Sequence, residues 1–235
     1  MAAGRLGKMH TSLEISYSMN EGELAEYVAR QMSHFFPDRE VTGDLLAPGV
    51  ENALARVEYC FSHIHQKYFV EGNRLRFNHL HTDQYAMFLG YLGNALHRAG
   101  DAALAAKAYA LNKALHALDV FYSVELPDIF YLQHPVGTVL GRAKYANYFF
   151  AYQRCSVGGN IDLVYPTLGE GVVMYGGSAL IGNCTVGENC WLSIGTIVKD
   201  QDLPPNSVVF GCSPQLAIKA TKRNVIRDLF NGGKD

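Results

Sequence analysis

The sequence predicts an α+β protein built in two unlike parts: an α-helical domain over residues 1–123, a parallel β-helix over 124–219, and a C-terminal tail over 220–235. Three observations predict it. Apolar residues recur at three- and four-residue steps in the first half, aliphatic residues recur every six in the second, and Pro127 separates the two regimes.

Residues 21–36 carry Leu24, Tyr27, Val28, Met32 and Phe35 as the stripe of an amphipathic helix that Pro37 ends. A second helix is predicted over about 50–68, with Leu54, Val57, Phe61 and Ile64 on one face, and a third over 82–98, with Tyr85, Phe88, Leu89, Leu92 and Leu96. Thr82 or Asp83 is expected to cap the third, Gly100 to stop it, and Asp101 to cap a fourth, alanine-rich helix ending near Ala117.

The second half repeats at a step of six: Leu168, Met174, Leu180, Val186, Leu192 and Val198. Small residues, Ser178, Cys184, Cys190 and Thr196, follow the middle members at a fixed offset of four, and Gly169 and Gly187 directly follow two of the anchors. Run backwards, the register gives Leu140, Ala146, Tyr152 and His134, with a loop between Gly158 and Pro166. Helices repeat near 3.6 residues and strands near 2, so neither explains this period. A coil of three short parallel strands does, with one inward side chain per six-residue face. An ordinary parallel sheet would need crossovers of about a dozen residues, which do not fit between anchors six apart.

Hydrophobic residues make up 49% and charged residues 18% of the 235, with a net charge of -2. That balance disfavours a disordered polyelectrolyte or an electrostatically driven nucleic-acid binder. Apolar runs stop well short of a membrane span, and the first ten residues lack an apolar core, so a cytoplasmic protein is expected. The five cysteines (Cys60, Cys155, Cys184, Cys190, Cys212) include no C-x-x-C pair, which argues against a disulfide framework or a thiolate metal site.

Several stretches resemble the hexapeptide-repeat acyltransferases, and within them the serine O-acetyltransferase-like group. They are residues 134–141 from His134 to Gly141, the Ser156-Val157-Gly158-Gly159 turn, residues 165–171, and the ending Asp202-Leu203-Pro204-Pro205-Asn206-Ser207 with Gly211-Cys212-Ser213-Pro214. The resemblance covers roughly residues 80–219. It implies a left-handed parallel β-helix, a homotrimer or dimer of trimers, and acetyl-CoA as acyl-donor substrate in grooves between subunits; from the charge balance and the cysteine pattern, no nucleic-acid partner and no metal are expected.

It also implies residue roles. His134 stands where these enzymes keep their catalytic base, and an imidazole with a usual pKa near 6.5 suits proton transfer at neutral pH. A histidine that merely closes the first coil is the structural alternative. Gly158 and Gly159 match the paired glycines of the CoA turn, or form a plain glycine turn. Gln133 replaces an acidic residue before the histidine, so another carboxylate, Asp128 or Glu125, is expected to support the imidazolium. Tyr165 replaces a second histidine, and either bonds the substrate or packs at the loop base. Asp83 occupies a position where serine-using relatives contact the amino acid, and equally a helix cap. Gly176, Gly177, Ser178, Ile194, Gly195 and Thr196 would line the cofactor groove through backbone contacts. Among the terminal cations Lys199, Lys219, Lys222 and Arg223, Lys219 is the one expected to meet CoA phosphates. His79 and His81 lack a third ligand for a metal site.

The reaction expected is therefore acetyl transfer from acetyl-CoA to a hydroxyl of a small acceptor, a serine-like amino acid or a surface-polysaccharide sugar or its precursor. An amino-sugar N-acetyltransferase and a non-catalytic scaffold are the alternatives. A β-helix carbonic anhydrase is excluded, because it needs three histidines and only His134 follows His116.

Overall fold

A computed structural model describes residues 14–65, 67–71 and 74–231. The expectations that reach into residues 1–13 and 232–235, including the absence of a leader, lie outside the described residues. Strand β1 (Ile15–Tyr17) leads into α1 (Glu21–Phe35). Asn20 starts this helix with a reciprocal box: its side chain accepts from the Glu23 N–H, and the Glu23 carboxylate accepts from the Asn20 N–H.

The next helix, α2 (Gly43–Ser62), is displaced toward the N-terminus from its predicted place and contains Pro48. It stops early because the chain beyond it has a partner elsewhere: Ile64 pairs antiparallel with Phe230 near the C-terminus. Strands β2 (Val70–Glu71) and β3 (Arg74–Phe77) follow, and β1 pairs with β3 in parallel to give a small sheet that the periodicity did not predict. Strands this short, joined across some sixty residues, carry little local signal.

Helix α3 (Thr82–Arg98) is buried along most of its length, and α4 (Ala102–His116) packs against it. Asp101 caps α4 through the Leu104 N–H, as expected. The expected cap of α3 fails: His81 holds the N-cap position without a side-chain bond, and Asp83 is buried in the first turn.

The β-helix begins before residue 124, since Asp119 already pairs with Val139. Its strands are β4 (Phe130–Leu132), β5 (Val139–Leu140), β6 (Lys144–Tyr145), β7 (Phe149–Ala151), β8 (Ser156–Gly158), β9 (Thr167–Leu168), β10 (Val172–Met174), β11 (Ala179–Ile181), β12 (Thr185–Val186), β13 (Cys190–Leu192), β14 (Ile197–Lys199) and β15 (Ser207–Phe210). They stack in parallel into three faces, ordered β4-β7-β10-β13-β15, β5-β8-β11-β14 and β6-β9-β12. Met174 pairs with Leu192, and Leu180 with Val198, each eighteen residues on, so a full coil is three hexapeptides. All six predicted anchors from Leu168 to Val198 are buried.

Upstream of the loop the predicted register is one residue out. Val157, Ala151 and Tyr145 stack beneath Leu180, Met174 and Leu168, in place of Tyr152 and Ala146. Only five residues separate Leu140 from Tyr145, and a one-residue shift on an extended strand turns every side chain to the opposite face. Tyr152 points outward instead and stacks on Tyr175, ring centroids 5.1 Å apart.

Strand β16 (Ala217–Ala220) adds antiparallel to β15, and α5 (Val225–Leu229) follows. The tail is therefore a strap. The His65 N–H donates to the Leu229 carbonyl, the Asn231 N–H donates to the His63 carbonyl, and the Phe230 ring lies against Tyr148 and Phe150 on the β-helix. None of the described helices is long and apolar enough to cross a membrane.

Candidate active site

Between the first and second faces each coil turns a tight corner, and these corners stack. Val136 and Gly137, Gln153 and Arg154, Gly176 and Gly177, and Ile194 and Gly195 form successive rungs, joined by N–H donation from Arg154 to Val136, Gly177 to Gln153 and Gly195 to Gly176. Gly137, Gly177 and Gly195 have φ of 74°, 74° and 69°, which accounts for glycine at these turns. Beneath each corner sits a small buried residue, Thr138, Cys155, Ser178 or Thr196. The Thr138 and Thr196 hydroxyls donate to the carbonyls of Tyr152 and Val209.

His134 opens the first of these corners. It is not an inward anchor: its φ is 50° and its side chain is 72% exposed. Its Nδ1 lies 3.7 Å from Asp83 Oδ2, on a side chain only 5% exposed. The two meet across an open cleft of about 280 Å³ between the starts of α3 and the coil and the end of α4, with Leu115, His116, Pro135 and Val136 among its lining. Asp83 also lies close enough to Tyr131 to add to the burial that pushes that phenol up.

Asp83, and neither Asp128 nor Glu125, is thus the carboxylate found beside His134. Asp128 lies at the opposite end of β4, where its carbonyl accepts from the Tyr91 hydroxyl and its charge faces Arg56. Six residues of extended chain span about 20 Å, so spacing by one coil period did not bring it near the ring. Glu125 is held by Arg98 and Asn94. Gln133, beside His134, is half-buried and donates its N–H to the Ala151 carbonyl.

Gly176, Gly177 and Ile194 do lie on the ridge that His134 heads. A Cβ at Gly177 or Gly195 would meet nothing within 4 Å, so the ridge is open there, and Ile194 is 73% exposed. Ser178 and Thr196 differ from expectation: their side chains are inside the prism, and their N–H groups donate to the Tyr175 and Ser193 carbonyls that close the corners. Gly158, Gly159 and Tyr165 sit at the next corner, one face away from His134. A Cβ at Gly159 would stand 2.9 Å from the Tyr165 ring, so the tyrosine packs at the base of the loop. That loop is held by Asn160, which donates to Asp200. Lys219 is on β16 with its ammonium 5.9 Å from the Phe210 ring centroid.

His116 is the cleft residue that the sequence did not single out, although Asn112 stands one helical turn before it. The Asn112 side-chain nitrogen donates to the Ala86 carbonyl, which turns its oxygen toward His116 Nδ1 at 2.8 Å. Nδ1 therefore carries the proton and Nε2 is left as an acceptor. Burial pushes the imidazole down to about 4 from its usual 6.5, against a smaller opposing effect of Asn112.

The folded pKa lies below the unfolded one, so the unfolded chain binds a proton that the folded chain refuses between those values. Stability is then full above about pH 6.5 and is lost as pH falls toward about 4. Melting temperatures measured across that window should fall, and His116→Phe should flatten the slope. An identical slope in the variant would show that His116 does not drive it.

The chain matches no protein-family model. A serine acetyltransferase of Synechococcus elongatus is 29% identical to it over 105 residues, 43% of this chain and 43% of that protein, so the match spans less than half of the relative's length. Among solved structures, the serine acetyltransferase of Neisseria gonorrhoeae superimposes with a TM-score of 0.68 at 18% identity, covering 88% of this chain and 81% of that one. The Brucella abortus serine acetyltransferase in complex with coenzyme A gives 0.65 at 17% identity, covering 88% and 84%. With its helical domain feeding a three-faced parallel β-helix of eighteen-residue coils, the chain has the fold of these serine acetyltransferase structures.

Proposed function

We propose that this chain is an acyl-CoA-dependent acyltransferase that moves acetyl from acetyl-CoA to a hydroxyl of a small acceptor, with His134 as general base. The observation that carries the reading is an exposed imidazole, 3.7 Å from a buried carboxylate, at the head of an open glycine ridge. With Nδ1 turned to Asp83, Nε2 is free to take the proton of the acceptor hydroxyl. The oxygen attacks the thioester carbonyl, the tetrahedral oxyanion collapses, and the departing thiolate receives the proton from the imidazolium, which Asp83 stabilises meanwhile. Gln133 offers its side chain to the acceptor.

The pantetheine arm would run along Gly176, Gly177 and Ile194. Toward the far end of the same face is Lys219 on β16, five strand spacings or about 24 Å from β4, suited to phosphate. Gly158, Gly159 and Tyr165 reach a His134 only if it belongs to a neighbouring copy, which supports a homotrimer with sites at the seams. A cytoplasmic setting is the reading that five unpaired thiols support. Attack by an amine is served less well, because an ammonium beside Asp83 keeps its proton and has no lone pair to offer.

Release of CoA thiol from acetyl-CoA in the presence of small hydroxyl compounds tests the reading. Asp83→Asn should lower the turnover by about tenfold or more, because a neutral amide does not support the imidazolium. A protein that binds no acetyl-CoA at about 1 mM, the upper end of ordinary enzyme KM values, would be a scaffold instead.

A further inference from the structure

Of the corners that stack along the ridge headed by His134, the second is built differently from the others. Its left-handed position carries Arg154, with a φ of 55°, where the first, third and fourth carry Gly137, Gly177 and Gly195. A Cβ makes that conformation costly, and arginine lacks the short polar side chain that offsets the cost for asparagine or aspartate. The glycines on either side leave room for the long side chains of this corner. A Cβ at Gly137 would stand 3.4 Å from Arg154 Cγ, so the arginine stem runs back over the first corner, the one that His134 opens. A Cβ at Gly176 would stand 3.0 Å from Gln153 Nε2, so that carboxamide runs the other way along the ridge. Arg154 is exposed, and its guanidinium has no hydrogen bond, ion pair or ring partner among the described residues.

From this corner we infer that Arg154 is a catalytic residue: its guanidinium donates to the thioester carbonyl oxygen and holds the negative charge that this oxygen acquires. The inference rests on the proposed acyl transfer and adds the group that stabilises its intermediate. Stacked strands lie about 4.8 Å apart, so Arg154 is one step from the corner of the base. That is the reacting end of the donor, whereas the phosphates lie a whole pantetheine arm away. Arg154 also stands outside the lining of the cleft that holds Asp83 and His116, which leaves it on the donor's side of the reaction and not the acceptor's. In the step itself, His134 takes the hydroxyl proton, the acceptor oxygen bonds to the thioester carbon, and the carbonyl π pair moves onto its oxygen beside the guanidinium. The pair then returns, the C–S bond breaks, and the imidazolium proton goes to the departing thiolate. Arg154 keeps its own protons throughout, because a guanidinium does not titrate in proteins. A cationic donor fixed at this point bonds the oxyanion more strongly than the neutral carbonyl, so it lowers the barrier without tightening the binding of acetyl-CoA.

Arg154→Gly tests this directly, because glycine is the residue that the sibling corners use and it relieves the backbone. The variant should therefore melt at or above the wild-type temperature. With the full-length protein, its kcat for CoA thiol release should fall by about 10²- to 10³-fold, the loss usual on removing one oxyanion donor. The Kd for acetyl-CoA and the KM for the acceptor should stay within about threefold of wild type, since the contact strengthens only in the transition state. A variant with wild-type kcat overturns the inference and leaves acyl transfer by His134 standing. So does a loss confined to acetyl-CoA binding or to the acceptor KM, or a melting temperature well below that of the wild type. A wild-type protein that releases no CoA thiol with any hydroxyl compound removes both readings.

Discussion

Replacing His134 by asparagine lowers acetyl transfer by about 10²- to 10⁴-fold, the range that a positioned general base contributes. Asparagine is the informative replacement because His134 has a φ of 50°, a left-handed conformation that asparagine adopts more readily than other non-glycine residues. The fold should therefore survive, and acetyl-CoA should bind the variant as it binds the wild type. What disappears is an imidazole whose Nδ1 faces Asp83 and whose Nε2, in the proposed reaction, takes the acceptor's proton. Measured as CoA thiol release, a variant within a factor of about two of the wild type would mean that another group takes the proton.

Phe150→Ala destabilises the protein by about 3–5 kcal/mol, the cost usual for emptying a buried phenylalanine site. Phe150 is fully buried on β7, edge-on to Tyr131 with centroids 4.9 Å apart, 4.9 Å from Tyr152 and 6.3 Å from Phe230. It joins the first coils of the prism to the C-terminal strap, and the strap in turn pairs with Ile64 of the helical domain. A loss of this size is a large part of the 5–15 kcal/mol by which domains are commonly stable. Urea denaturation of the two proteins measures it. A difference below about 1 kcal/mol would place the void where neighbouring side chains refill it, contrary to the close packing of four aromatic rings.

The site was partly legible in the sequence. His134 could be named because it is the one histidine of the second half and falls at the entry to the coils. Asp83 was visible too, but its sequence neighbourhood matched a helix cap as well as a ligand group; only the fold shows it buried beside His134 instead of at the cap. Asp128 illustrates the opposite case. A periodicity of six is an address inside the prism, and it says nothing of two ends of one strand that face different neighbours. His116 had no motif to mark it, since its tautomer depends on an asparagine one turn earlier and its place in the cleft on a ring from the other half of the chain lying across the same space.

What the residues alone determined about this protein was its two periods: 3.6 in the first half and six from Leu168 onward, which fix helices and coils because a buried face must recur at the spacing of the backbone that carries it. The tertiary structure decided what depends on distant partners. The five-residue step after Leu140 reset the register, Phe230 ended α2 by claiming Ile64, and the docking of α3 on the first coil brought Asp83 to His134. Such contacts join residues some twenty to more than a hundred and sixty apart, and their energy comes from surfaces that exist only once the elements that carry them have packed.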